Sequence, residues 1–437
     1  MDEVMQEPVK TPNLKARRPR LLWANAYCLL DTSSGASMTI REMLLQLTAT
    51  MIDVRVLGAT NFDSDRGTNL IKTYPHAHQA KPGEMLEIRD GKLVHNLFVT
   101  ANIARARMTA KEEMGWHMRY SQLLMEFKPD LVFFYGGYPL DFLIPDEARV
   151  RGVPSAAYIA NANYHGTRWC RDVDVILTDS EATASLYDRW LGLKMNPVGK
   201  FISEDSFVAK VHTRKNLLFV NPSPTKGVGV VLRLAAMLRK RRPDILIEVV
   251  ESRGKWSEAL AAFKPALGRE ISDLPNVTVT PHATDMRPIY GRARVLLAPS
   301  LWWESSGRVL AEAMLNGIPA ITTNRGGMPE MMRDGGVAID LPQKYFTKPF
   351  MSVPEEAELE PFMKAIIEMF DDEEKYKAFV ANARRVGEEQ HHISVSTRRL
   401  MSHLKPLMDQ RAGDKDFAEL ESLAHRQGRP TITRPAI

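Results

Sequence analysis

A chain of 437 residues is too long for one ordinary hydrophobic core, so two domains of roughly 200 residues each are expected. Its apolar content of 44% fits a globular protein, and a net charge of +5 is too small and diffuse for a nucleic-acid footprint. Two cysteines, Cys28 and Cys170, imply no disulfide framework, no apolar run reaches the ~18 residues of a membrane span, and Met-Asp-Glu opens no secretory signal; a cytoplasmic protein, at most membrane-peripheral, is expected.

Residues 1–17 are polar and aperiodic and read as a disordered tail. "RLLWANAY" then reads as a buried strand, and "MTIREMLLQLTAT" has apolar positions at helical spacing, with its methionines facing the core. "IDVRVLGAT" is a strand, and "LEIRDGKLVHNLFV" places Asp90-Gly91 between alternating segments as a hairpin does. A helix around 103–127 leads to the buried strands "PDLVFFYGG", "VPSAAYIAN" and "VDVILTDS". This alternation predicts a doubly wound parallel sheet. After a boundary near 199–214 the pattern restarts with "KNLLFVNPSPTKGVGVVLRLAAML" and continues through "ILIEVVES", "VTVTPH", "ARVLLAPS" and "IPAITTN". Helices at about 355–370, 372–387 and 394–410 close the fold.

The fold class expected is therefore α/β, with two Rossmann-like doubly wound domains facing a central cleft. The domains span 18–205 and 206–390, a C-terminal helix over 391–412 packs back on the first domain, and 413–437 form a mobile tail. Ligands of such sheets bind at the carboxyl ends of the strands. The loops predicted at that edge are Asp31–Ser37, Tyr135–Tyr138, Asn221–Gly227, Pro299–Gly307 and Asn324–Pro329.

Positive charge concentrates in residues 211–350, which suits a second half that meets an anion such as a diphosphate. The densest cluster, Arg239-Lys240-Arg241-Arg242, ends a helix, where cations complement the dipole; contact with anionic lipid is the lesser alternative. In "PSLWWESSGRVLAEAMLNG" a strand ends at Pro299 and a helix begins near Ser306 or Gly307, so its free N–H groups face the cleft. Glu304 lies in the loop at that end, and Glu312 sits roughly 7 Å further along the axis. One carboxylate can reach a group near a bound phosphate while the other reaches beyond it, each accepting hydroxyl hydrogens. Trp302 and Trp303 either pack on a sugar face or fill the domain.

Pro299-Ser300, Glu304 with Gly307, Glu312, Gly317-Ile318-Pro319, Gly326-Gly327 and Glu330 follow one another in an order that resembles the signature of glycosyltransferase family 4, retaining enzymes of the GT-B fold. "TDMRPIYGRARVLLAPS" resembles the family's tyrosine-plus-strand lead-in, and "VILTDSEATASLY" its segment near the end of the first domain. The resemblance implies transfer of a sugar from a UDP- or GDP-sugar to a glycan, lipid-linked or small-molecule hydroxyl, with no cofactor and no metal. Glu304 would then hold the donor sugar and Lys226 the diphosphate, as the catalytic pair. Backbone N–H groups of Ser306, Gly307, Arg308 and Val309 would cradle the distal phosphate, Glu312 would bind the ribose, and Ser34 and Gly35 would approach the diphosphate from the first domain.

Departures from the family pattern are specific. "VNPSPTKG" lacks the arginine usual just before the lysine, leaving Arg308 or Arg325 as substitutes. The family's first-domain histidine has His165 as its nearest candidate, and Tyr138 joins it on the acceptor side. Asp63-Ser64-Asp65 resembles a metal-binding carboxylate pair but reads as a solvated loop, and His76, His78, His391 and His392 lack the spacing of a metal set. A nucleotide-sugar epimerase, a phosphorylase and a catalytically silent nucleotide-sugar binder are the competing readings. No motif for the first two stands out, and the retained Glu304, Glu312 and Lys226 weigh against the third.

Overall fold

A computed structural model describes residues 17–426. Its first sheet holds β1 (Arg20–Ala24), β2 (Asp53–Ala59), β3 (Met85–Asp90), β4 (Leu93–Phe98), β5 (Leu131–Phe134), β6 (Ser155–Ile159), β7 (Val175–Thr178) and β8 (Asn196–Pro197). They lie in the order β3-β4-β2-β1-β5-β6-β7-β8, parallel throughout except for the β3–β4 hairpin. The second sheet holds β9 (Asn216–Val220), β10 (Ile247–Val250), β11 (Val277–Thr280), β12 (Ala293–Ala298), β13 (Ala320–Thr323) and β14 (Gly336–Ile339), in the order β11-β10-β9-β12-β13-β14, all parallel. Helices cover both faces of such sheets, so the central strands are apolar without alternation. All four residues of β5 and of β13 are buried.

The strand order reverses beside β1 and β5 in the first sheet and beside β9 and β12 in the second. These are the switch points at which adjacent loops splay apart and leave a crevice. The loops after β9 and β12 carry Lys226 and Glu304, and those after β1 and β5 carry Gly35 and Tyr138. Chain order alone thus brings the candidate residues to two crevices.

Several boundaries differ from the sequence reading. The helix expected from residue 103 begins at Ala110, because Thr109 and Glu112 form a capping box at that point, and a 3₁₀ turn precedes it. β14 was not anticipated, since a strand of four residues after two glycines reads as a loop. Arg17 is no part of a loose tail, for its guanidinium donates to both oxygens of Asp130 at 2.8 and 2.6 Å. The rest of the N-terminal tail, and residues 427–437, lie outside the described residues. The C-terminal helix, Ile393–Arg426, runs past the expected end at 412. Its Leu400, Leu404 and Met408, spaced four apart, are buried with Trp23, Leu47 and Phe133 of the first domain.

The basic run at the end of the helix Val228–Arg241 faces the helix Glu356–Asp371. Lys240 pairs with Glu356 at 3.2 Å, Arg241 with Glu360 at 2.6 Å and Arg242 with Asp371 at 2.7 Å. These cations have carboxylate partners, which removes the reason to read the run as a lipid contact.

His391 lies where the chain crosses back to the first domain. It is buried, its Nε2 is 2.6 Å from the Met331 carbonyl, and burial pushes its pKa down to about 4, helped by Arg399 and Arg333 and opposed by that carbonyl. Its ordinary value is about 6.5. The unfolded chain therefore binds the extra proton between those limits, and stability present above pH 6.5 is lost as the pH falls towards 4. Between pH 7 and pH 5 this is worth about 2 kcal/mol. Urea unfolding at both pH values should show wild type losing more stability than His391→Gln by about that amount; equal losses would remove His391 as the source.

Candidate functional site

A cavity of about 320 Å³ lies between the two sheets' carboxyl edges and is lined from both domains. The first domain contributes Ser33, Gly35 and Met38, and the second contributes Lys226, Glu304, Gly307, Arg308, Val309 and Glu312. The two glutamates and the lysine that the sequence singled out therefore share one space.

Two glycines explain why the loops can meet there. A Cβ on Gly227, which has φ +78°, would lie 2.0 Å from the Pro299 carbonyl oxygen, so only glycine lets the Lys226 turn press against the start of the Glu304 loop. A Cβ on Gly326, with φ +60°, would lie 2.1 Å from the Glu304 carbonyl oxygen on the other side. Glu304 is held between these two loops. The Lys226 ammonium donates to its carboxylate, and the Ser300 hydroxyl donates to the same oxygen at 2.8 Å. Burial alone would push its pKa up, but Lys226, Ser300 and the more distant Lys200 outweigh that and hold it below the ordinary value.

The helix Arg308–Leu315 starts at Gly307, and Glu312 is buried in its second turn. Arg308 Nε lies 2.7 Å from one oxygen of Glu312, and the fully buried Tyr290 hydroxyl donates to the other. Burial raises the pKa of Glu312, with Arg308 and Tyr290 opposing. The N–H groups of Ser306, Gly307, Arg308 and Val309 have no hydrogen-bond acceptor among the described residues. Free N–H groups at the positive end of a helix dipole bind anions.

Some expected residues are placed differently. The Ser34 hydroxyl caps the helix Gly35–Ala49 by accepting from Ser37, so Ser33 and Gly35, not Ser34, line the cavity. The space where a Gly35 side chain would go is open. The Ser306 hydroxyl donates to Asp179 of the first domain at 2.9 Å, leaving only its backbone for a ligand. Arg308 is committed to Glu312, to the Thr39 hydroxyl at 3.3 Å and to the Phe201 carbonyl at 3.2 Å. Arg325 lies over the rings of Trp303 and Phe346, away from the cavity lining. Arg308 therefore borders the cavity with its side chain already paired, and Arg325 stands outside it. Arg253, which the sequence reading passed over, also lines the cavity.

Trp302 packs edge-on to Phe350 in the second domain's core, so it fills the domain. On the acceptor side, Tyr138 lies over the Arg105 guanidinium at 4.5 Å and His165 stands exposed against Trp190; neither lines the cavity. Asp63 is not simply solvated, since it faces Arg253 across the cleft at 3.7 Å while Arg66 donates to the Ser252 carbonyl. Among the described residues no cluster of three or more His, Cys, Asp or Glu could hold a metal ion, and no helix is long and apolar enough to cross a membrane.

Comparison with known proteins places this geometry. Residues 203–386 match the family model of glycosyl transferases group 1. That stretch holds Lys226, Glu304 and Glu312, the second-domain half of the cavity. A putative glycosyltransferase of Bacillus subtilis, YtcC, is 29% identical over 183 residues, 40% of this chain and 41% of that relative. The match thus spans about two fifths of the relative's length. Among solved structures, sucrose-phosphate synthase from Thermosynechococcus elongatus superposes with a TM-score of 0.66 at 13% identity, over 90% of this chain and 100% of that one. HepE of Anabaena, solved with UDP and glucose, gives a TM-score of 0.64 at 13% identity over 89% of this chain and 100% of that one. The two-domain fold is therefore that of GT-B glycosyltransferases.

Proposed function

We propose that this protein is a retaining glycosyltransferase that moves a sugar from a UDP- or GDP-sugar to a hydroxyl of a glycan, lipid-linked or small-molecule acceptor without a metal. One observation carries the reading: free helix N–H groups, Lys226 and Glu304 border the same inter-domain cavity. Breaking a sugar–phosphate bond leaves negative charge on the diphosphate and builds positive charge on the anomeric carbon. The N–H groups of residues 306–309 and the Lys226 ammonium would take up the former without reorganising. On donor binding Lys226 would turn from Glu304 to the diphosphate, leaving the Glu304 carboxylate free for the sugar's hydroxyls. Glu312 would accept from the ribose on its remaining lone pairs. The group 1 match over 203–386 and the UDP bound by HepE support a nucleotide-sugar donor here. Retention follows from the resemblance to family 4.

Calorimetric titration with a panel of UDP- and GDP-sugars is the first test, and binding to none of them would remove the reading. With a donor and acceptor found, the anomeric configuration of the product should match that of the donor. Turnover should be undiminished in EDTA, because N–H groups and Lys226 supply the leaving-group stabilisation a metal otherwise gives; complete loss would place a metal in the mechanism.

A further inference from the structure

We propose that Glu330 is a positioning residue that reaches from the second domain to cap a helix of the first, and so holds Glu304 and the N–H groups beyond it in register with the first domain. The positioning role rests on the donor-site reading above. Glu330 lies in the short helix Met328–Met332 of the second domain. Its Oε1 accepts from the N–H of Glu181 and its Oε2 from the N–H of Ala182, both at 2.9 Å. These are the first two residues of the helix Glu181–Leu191 in the first domain, whose own cap, Ser180, accepts from Thr183 at 3.1 Å. Three of the four N–H groups that a helix start leaves unpaired are thus satisfied, two of them by the other domain. A carboxylate there also meets the positive end of the helix dipole.

The cap is mechanically tied to the site. Gly327, three residues before Glu330, donates its N–H to the Glu304 carbonyl at 2.9 Å, and a Cβ on it would lie 2.0 Å from the Ser305 carbonyl oxygen. An independent set of contacts grips the same loop from the same helix start. Asp179, 2% exposed, accepts from the hydroxyls of Ser305 and Ser306 and from the Lys200 ammonium, while the Thr183 and Ser305 hydroxyls lie 2.7 Å apart. Residues 179–183 of the first domain therefore hold both 305–306, next to Glu304, and 330. A displacement of that helix start would move Glu304 relative to Gly35, whereas the nucleotide contacts within the second domain would stay intact.

Glu330→Gln tests this at constant volume, because an amide offers one carbonyl oxygen to two N–H groups. Hydrogen exchange at Glu181 or Ala182 should quicken about tenfold, as for a lost hydrogen bond to a charged group. Turnover should fall about tenfold or more, while affinity for UDP or GDP alone stays within about threefold. Asp179→Asn should split turnover from nucleotide affinity in the same direction, which guards against a Glu330 variant that fails to fold. Faster exchange with unchanged turnover, or nucleotide affinity falling in step with turnover, would overturn the positioning role. Should the wild type bind no nucleotide sugar, the donor-site reading fails, and unchanged exchange at Glu181 and Ala182 then overturns the cap as well.

Discussion

Glu304→Ala is expected to lower turnover about 10²- to 10³-fold while nucleotide affinity changes only a few-fold. The asymmetry follows from what Glu304 touches. Its carboxylate is held by Lys226 and Ser300 at the loop end of the helix, not among the groups beside Glu312. Removing it frees the Lys226 ammonium for the diphosphate, so binding of the leaving group is preserved. What is lost is the carboxylate that would grip the donor sugar as charge builds on its anomeric carbon, an interaction that strengthens in the transition state. Glu304 is kept ionised by Lys226, so Glu304→Gln, which removes the charge but keeps the volume, should retain little of the activity. Steady-state kinetics beside calorimetry distinguish the two quantities. A variant with wild-type turnover, or one that loses nucleotide binding first, would exclude this role.

Glu312→Ala should act in the opposite sense, weakening nucleotide binding about 10- to 100-fold and also destabilising the fold. Glu312 is buried against Arg308 and Tyr290, and truncating it leaves a guanidinium and a hydroxyl in the interior without their acceptor. Breaking a buried pair in this way costs on the order of 3 kcal/mol, several times the worth of a surface pair. Arg308 also bridges to Thr39 and to the Phe201 carbonyl, so its release should loosen the domain junction. Glu312→Gln keeps an acceptor for Tyr290 and should lose less stability than the alanine variant. Denaturant unfolding gives the stability change and titration with UDP and GDP the affinity change. An alanine variant as stable as wild type, with unaltered affinity, would show that Glu312 is neither a ribose ligand nor a structural anchor.

The parts of the site that were legible in the sequence are those that lie close together in it. Glu304, Gly307 and Glu312 belong to one strand, loop and helix, and within that unit the rise from Gly307 to Glu312 is fixed by helix geometry. Lys226 was legible only through the resemblance of its loop to the family pattern, and the close approach of Gly227 to Pro299 explains how it reaches Glu304. Tyr290 was marked only as the tyrosine of the lead-in that the resemblance picks out, and Asp179 only as a member of a longer segment, because nothing local distinguishes a buried tyrosine or aspartate that serves another side chain. Arg308 shows the reverse case. Its charge suggested a phosphate ligand, and in the fold its side chain, at the edge of the cavity, pairs with Glu312 and lies over Phe207.

By itself the sequence determined two doubly wound sheets, the strand-loop-helix unit with its free N–H groups, and the acids that flank it. Those features depend on periodicity and on backbone geometry within about twenty residues, which local composition encodes. Only the tertiary structure decided that Asp179 and Glu330 join the domains, that Ser33 and Gly35 face the cavity while Ser34 caps a helix, and that Arg253 meets Asp63 across the cleft. Each of these is a contact between residues far apart in the chain, or a choice between two uses of one polar group. Such choices are settled by which partner the folded chain brings within hydrogen-bonding distance.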